Sequence, residues 1–161
     1  MLKLPQLTSS DENSAEDSER EQEQEQEEDL GLIDHTVFDQ LTDMDDEEDH
    51  EFSKSIVWNY FEQAETTFEK MDAALDEKDL AELSRLGHFL KGSSAALGLR
   101  RVKATCEKMQ NIGNLKDEEG INNIEEDVAL ESVTKLLKQV QEEYEEAEVY
   151  LRKFYEEPDG Q

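Results

Sequence analysis

The chain has 161 residues, with 44 acidic and 16 basic side chains and a formal net charge of -28. That length suits one domain with a tail to spare and excludes two catalytic domains, while so strong a negative charge repels nucleic-acid phosphates and anionic lipid headgroups. Hydrophobic residues make up 35% and charged residues 37%, a departure from globular averages of about 45–50% and about 25% that must be concentrated in a segment unable to fold.

Residues 1–29 are that segment: they hold eleven acids and two bases and include the run EQEQEQEED. The composition predicts a disordered acidic tail over 1–30, a folded domain over 31–157 and a short disordered C-terminus over 158–161. The opening MLKLPQL is too short and too soon acidic for a signal peptide, and no stretch approaches the ~18 apolar residues of a membrane span. A soluble intracellular protein is expected. The lone Cys106 has no internal disulfide partner, and three histidines without a CxxC pair exclude a cysteine-rich zinc site. Both prolines, Pro5 and Pro158, lie near the ends, which leaves 30–157 free of the strongest helix breaker.

The spacing predicts a short helix from Thr36 over TVFDQLTDM, ended by the acidic patch DMDDEEDH. A long helix follows from Glu51, with Ile56, Val57, Tyr60, Phe61, Ala64, Phe68, Met71 and Leu75 on one face, stopping near Asp76-Glu77-Lys78. A third starts near Asp79, carries Leu80, Leu83, Gly87, Leu90, Ser94 and Leu97 along one stripe, and ends at Gly98. The fourth follows at once with Val102, Cys106, Met109 and Gly113, before the turn-rich loop NLKDEEGINN. The last carries Leu130, Val133, Leu137, Val140, Tyr144, Ala147, Leu151 and Phe154 as a heptad-like seam. No alternating β-branched runs support a sheet. The fold class expected is all-α: an antiparallel four-helix bundle with a short additional N-terminal helix capping one end. A parallel coiled coil formed through the final heptads is the alternative, and the other helices' need for partners favours the bundle.

At about 100° per residue His88 stands well off the stripe of the third helix and toward solvent. Its neighbours on that face are Ser84, Lys91, Gly92 and Ala95, small residues and one ammonium. Glycine inside a helix costs roughly 1 kcal/mol relative to alanine, so Gly92 one turn from an exposed histidine suggests space kept for an incoming group, with Lys91 placed to hydrogen-bond an anion at the ring. Residues 83–106 hold five bases (Arg85, Lys91, Arg100, Arg101, Lys103) and no acid. A basic island in so acidic a chain suits a phosphoryl group or an acidic partner surface and argues against a divalent metal at His88. The plain reading of one surface histidine is a solvated residue; these neighbours weigh against it. His35 and His50, beside acids and without partner ligands in sequence, read as solvated. Trp58 is expected to pack against the first helix, and Cys106 to be a small buried hydrophobe.

The segment HFLKGSSAALG, His88 to Gly98, resembles the signature of histidine-containing phosphotransfer (HPt) domains, a histidine followed by lysine at the third position and glycine at the fourth. The resemblance extends through LRRVKATCEKMQNIG to Gly113 and upstream into HEFSKSIVWNYFEQA, covers roughly 33–155, and is closest to fungal phosphorelay intermediates of the yeast osmosensing type. It implies that His88 is the phosphoacceptor, that Lys91 assists the phosphoryl group, that Gly92 keeps access open, and that Gln110 hydrogen-bonds the imidazole. By geometry Gln110 sits beside the apolar stripe of its helix, from which it can reach the preceding helix and set the imidazole tautomer. Relatives of the yeast type carry a basic residue where this chain has Asn114.

The resemblance further implies a carrier that takes a phosphoryl group from a phospho-aspartate of a hybrid sensor kinase's receiver domain and passes it to an aspartate of a response regulator. Neither GxxxxGK[ST] nor GxGxxG occurs, so no ATP site is expected. No cofactor or metal is expected on this chain; Mg²⁺ is expected on the partner receiver. A monomer suffices, and the cytoplasm and nucleus are the expected locations. Ile33, Val37, Phe38 and Leu41 of the first helix, with Arg85 and Leu99 of the His88 face, are the candidate receiver-docking residues; the alternative for the first-helix residues is that they cap the bundle, and one residue can do both. The rival function is an acidic helical adaptor or chaperone for basic proteins, which has no use for an acid-free stretch over 83–106. A metal-dependent hydrolase is a third class, and the absence of HExxH and of ligand spacing disfavours it.

Overall fold

Asp34 starts the first helix by accepting a hydrogen bond from the Thr36 N–H on its carboxylate, so α1 spans His35–Thr42. The computed structural model describes residues 31–46 and 50–155; the expected acidic tail over 1–30 and the C-terminal segment 158–161 lie outside them. Helix α2 spans Glu51–Asp76, α3 Leu80–Leu97, α4 Arg100–Gly113 and α5 Glu126–Tyr155. Each boundary has a local cause. The chain turns out of α2 through Lys78 at φ 57°. Asp79 then caps α3 by accepting from the Glu82 N–H at 3.1 Å, and Gly98 at φ 80° closes it, donating to the Ala95 carbonyl while Leu99 donates to that of Ser94. Only glycine takes that left-handed conformation without strain.

Consecutive helices pack on one another, and α5 returns to α2, closing a four-helix ring. The stripes read from sequence face inward. All six positions on α3 (Leu80, Leu83, Gly87, Leu90, Ser94, Leu97) and all four on α4 (Val102, Cys106, Met109, Gly113) are buried, and each large one adds about 1.5–3 kcal/mol by leaving water. Phe154 departs from its expected seam: it is 43% exposed, lying at the outer edge of the last turn of α5, where it meets Phe38 of α1 edge on at 5.1 Å and the His50 ring at 5.8 Å. Among the described residues there is no strand, only an isolated bridge between Lys116 and Asn123 in the α4–α5 loop.

The segment before α1 crosses the α3–α4 turn with its backbone paired to it: Asp34 N–H donates to the Gly98 carbonyl at 2.6 Å and Arg100 N–H to that of Leu32 at 3.1 Å. A side chain at Gly98 would lie 2.6 Å from the Asp34 carbonyl oxygen. The short helix therefore caps that end of the bundle, as expected. Trp58 corrects a different expectation. Its ring meets Tyr155 of α5 at 5.8 Å, edge on, and lies beneath the guanidinium of Arg152 at 5.1 Å, so its packing is against the last helix.

His50 and His35 are not simply solvated. His50 Nδ1 lies 2.8 Å from Oδ2 of Asp45, a carboxylate only 2% exposed, which also accepts from Ser53 N–H and Oγ, each at 2.7 Å. Tyr155 donates in turn to Ser53 Oγ at 2.8 Å, tying the segment after α1 to both α2 and the end of α5. His35 meets Tyr150 of α5 edge on at 6.3 Å. Burial alone would raise the Asp45 pKa, but the Ser53 hydrogen bonds and His50 outweigh it and hold the carboxyl below its ordinary 3.8. A carboxyl whose pKa is lower folded than unfolded takes up its proton more readily in the unfolded chain. The stability it adds is complete above the unfolded value and drains away as pH falls through the folded one. Replacing Asp45 with alanine strands buried donors and is expected to cost about 1–3 kcal/mol at neutral pH; thermal melts from pH 7 to pH 3 should show the deficit narrowing on the acid side.

Candidate functional site

His88 occupies the solvent face of α3. Because the apolar stripe takes up the opposite arc, positions 88, 89 and 92 are left outside, and all three are exposed. At Gly92 an added Cβ would meet nothing within 4 Å, so the space one turn beyond the imidazole is open, as the sequence suggests. Lys91 and Ala95 are half-buried at its edge. Among the described residues neither the His88 ring nor the Lys91 ammonium has a hydrogen-bond or ion-pair partner, so both are available to an incoming anion. The Lys91 charge reaches inward, partly offsetting the burial and the Glu143 carboxylate that push the Cys106 thiol up to about 12. Cys106 is thus the inert core residue expected of it.

The helix behind the site approaches unusually closely. An added Cβ at Gly87, beside His88, would lie 3.0 Å from the Cys106 carbonyl oxygen and 3.3 Å from the Gln110 nitrogen. At Gly113 it would lie 2.7 Å from the Leu80 carbonyl oxygen and 2.8 Å from both Ser84 N and Ser84 Cβ. Between these two contacts Ser84, 7% exposed, donates from Oγ toward the Gln110 carbonyl at 3.0 Å and toward Asn114 Oδ1 at 3.1 Å. Ser84 is therefore a tie between helices as well as a small neighbour of the ring. Gln110 is half-buried beside this turn. Its side-chain amide forms no hydrogen bond with the imidazole or with any other described residue. The residues implied at the site are brought together, with the implied Gln110–His88 bond unmade.

The basic island is smaller than the charge count suggests. Glu82, just outside the acid-free stretch, holds Arg85 with two hydrogen bonds at 2.9 and 2.6 Å, and each group stabilises the charge of the other. Arg101 stands 3.8 Å from Glu146. Lys91, Arg100 and Lys103 have no ion-pair partner among the described residues. Nowhere among the described residues do three His, Cys, Asp or Glu side chains gather as a metal site would require.

Four of the six candidate docking residues are in the core. Ile33 is 2% exposed, Phe38 1%, Leu41 7% and Leu99 0%. The first helix is short enough that its whole apolar face is consumed in capping the bundle, and Leu99 lies in the turn that face covers. Val37 is half-buried and Arg85 exposed. The apolar surface beside the histidine is instead Phe89, 46% exposed. Its sequence signal was available: a phenylalanine directly after His88, off the α3 stripe, has no core position to fill.

The Hpt domain profile matches residues 55–149, a span that includes His88, Lys91, Gly92 and Gln110. The chain belongs to the Hpt domain family. Among Hpt relatives it is 55% identical over 130 residues to multistep phosphorelay regulator 1 of Schizosaccharomyces pombe, covering 80% of this chain and 44% of that protein. It is 38% identical over 157 residues to phosphorelay intermediate protein YPD1 of Saccharomyces cerevisiae, covering 77% of this chain and 93% of that one. The chain thus spans less than half of the first relative and nearly all of the second. The Hpt bundle superposes on Saccharomyces cerevisiae Ypd1, solved with the receiver domain of its downstream response regulator Ssk1, with a TM-score of 0.67 at 40% identity, over 77% of this chain and 94% of that chain. No helix among the described residues is long and apolar enough to cross a membrane.

Proposed function

We propose that this protein is a phosphoryl carrier of a multistep phosphorelay, receiving a phosphoryl group on His88 from a phospho-aspartate of one receiver domain and giving it to an aspartate of another. The observation that carries the reading is an unpartnered, exposed imidazole one turn from the open space at Gly92 and three residues from an unpaired ammonium, Lys91. The family membership and the similarity to a protein crystallised with a receiver domain support it.

The neutral imidazole attacks phosphorus. One N–P bond forms, the acyl P–O bond to the donor breaks, and the donor leaves as an aspartate carboxylate. The transition state carries its charge on the phosphoryl oxygens and needs oriented cations rather than further covalent chemistry. Lys91 supplies one from this chain; the receiver would supply the others, together with the Mg²⁺ expected on it. An amide at Gln110 that accepts from one ring N–H leaves the other nitrogen's lone pair for phosphorus. On this reading the chain has no ATP site of its own, and Phe89 and Val37 provide apolar contact to the docked receiver.

The test is transfer of labelled phosphate from an aspartyl-phosphorylated receiver to wild type and to His88→Gln. Label that is acid-labile, alkali-stable and absent from the variant is expected. Equal labelling of the variant, or failure with a panel of receivers, would leave the acidic adaptor as the better account.

A further inference from the structure

We infer that Ser84 is a positioning residue for the phosphoacceptor, acting through Gln110, an inference that rests on the phosphotransfer reading. Ser84 lies one turn before His88 on the same face of α3 and is 7% exposed, with its hydroxyl turned to α4. The Gln110 carbonyl is the last in α4 to accept its regular helical partner, the Asn114 N–H, and does so at a long 3.2 Å. Ser84 Oγ supplies a second donor at 3.0 Å, while the backbone of Gly87 approaches the Gln110 nitrogen from the other side. Both ends of the Gln110 peptide unit are therefore referred to the same turn of α3 that carries His88.

The Gln110 side chain has no other anchor. Its amide is half-buried and makes no hydrogen bond with a described residue, so where it can reach is decided by where its backbone is held. The Ser84 hydroxyl has a single proton for two acceptors, and the second, Asn114 Oδ1 at 3.1 Å, lies beyond Gln110 in the chain. Losing the hydroxyl would release the Gln110 carbonyl from α3 and let the backbone that carries the amide shift relative to the imidazole, with Gly113 still packed on Leu80 and Ser84. Loss of Asn114's side chain would leave the Gln110 contact in place.

The full chain tests this with five proteins: wild type, Ser84→Ala, Gln110→Ala, the double variant of these two, and Asn114→Ala. Two readouts are needed, the rate of transfer from an aspartyl-phosphorylated receiver and the tautomer balance of the His88 imidazole by ¹⁵N NMR. Ser84→Ala is expected to slow transfer about three- to tenfold, the scale of one lost hydrogen bond, and to shift the tautomer balance. In the Gln110→Ala background it should do neither, and Asn114→Ala should stay within about twofold of wild type. Wild-type transfer by Ser84→Ala, an unmoved tautomer balance, or losses that multiply in the double variant would each overturn the inference. Should Ser84→Ala melt below the assay temperature, Ser84→Cys, nearly isosteric and a weak donor, is expected to give the same ordering. If no receiver labels wild type, the phosphotransfer reading fails separately, and the NMR comparison alone then decides whether Ser84 sets the imidazole.

Discussion

Gly113→Ala is expected to lower stability by about 2–3 kcal/mol, seen as a drop of roughly 5–10 °C in Tm. The usual rule points the other way, since alanine is the better helix former by about 1 kcal/mol. Contact decides the sign. The new methyl carbon would sit 2.7 Å from the Leu80 carbonyl oxygen and 2.8 Å from Ser84 N and Ser84 Cβ. Two of these atoms are backbone in the first turns of α3 and cannot rotate aside, so the helices must separate. Separation would loosen packing at buried Leu83 and Met109 nearby, and it would carry Gln110 away from His88, so transfer should fall as well. A calorimetric Tm equal to or above wild type would show that α3 and α4 are not in the contact described.

Gly92 should behave in the opposite way. With nothing within 4 Å of an added Cβ, Gly92→Ala is expected to raise stability by about 0.4–1 kcal/mol, largely by restricting the unfolded chain. Gly92→Gln should fold equally well but slow transfer to His88 tenfold or more, equivalent to about 1.4 kcal/mol in the barrier. Its side chain would stand one turn from the ring, where the donor's phosphorylated aspartate must arrive. The combination of an unchanged or raised Tm with slowed transfer is the informative one. Transfer at the wild-type rate by Gly92→Gln would mean that the open space serves no approach.

These two glycines also show where sequence reasoning reaches and where it stops. Gly92 was legible because the helical period places it beside His88 and off the apolar stripe, a relation internal to one helix. Gly113 is visible only as a member of the α4 stripe; that its missing side chain admits Leu80 and Ser84 depends on two helices at once. The bundle itself was readable because periodicity reports which face of each helix is buried. It does not report what buries it, and an apolar face on an eight-residue helix looks the same whether it covers a core or awaits a partner. Of the two roles the sequence leaves open for Ile33, Phe38 and Leu41, their burial favours capping, and Phe89 was passed over. His50 was misread because its environment comes from Asp45, Ser53 and Tyr155, the last 102 positions beyond Ser53 in the chain.

The sealed thiol has a practical consequence for anyone wishing to watch this molecule at work. Cys106 is the chain's single cysteine, 0% exposed and pushed up to about 12 by burial and Glu143, so at neutral pH it stays the unreactive thiol. Maleimide dyes and spin labels will therefore pass it by in the native state. A cysteine introduced at exposed Ala96 or Gln63, on either side of the groove between α2 and α3, becomes a unique attachment point without first stripping the core of a residue it needs.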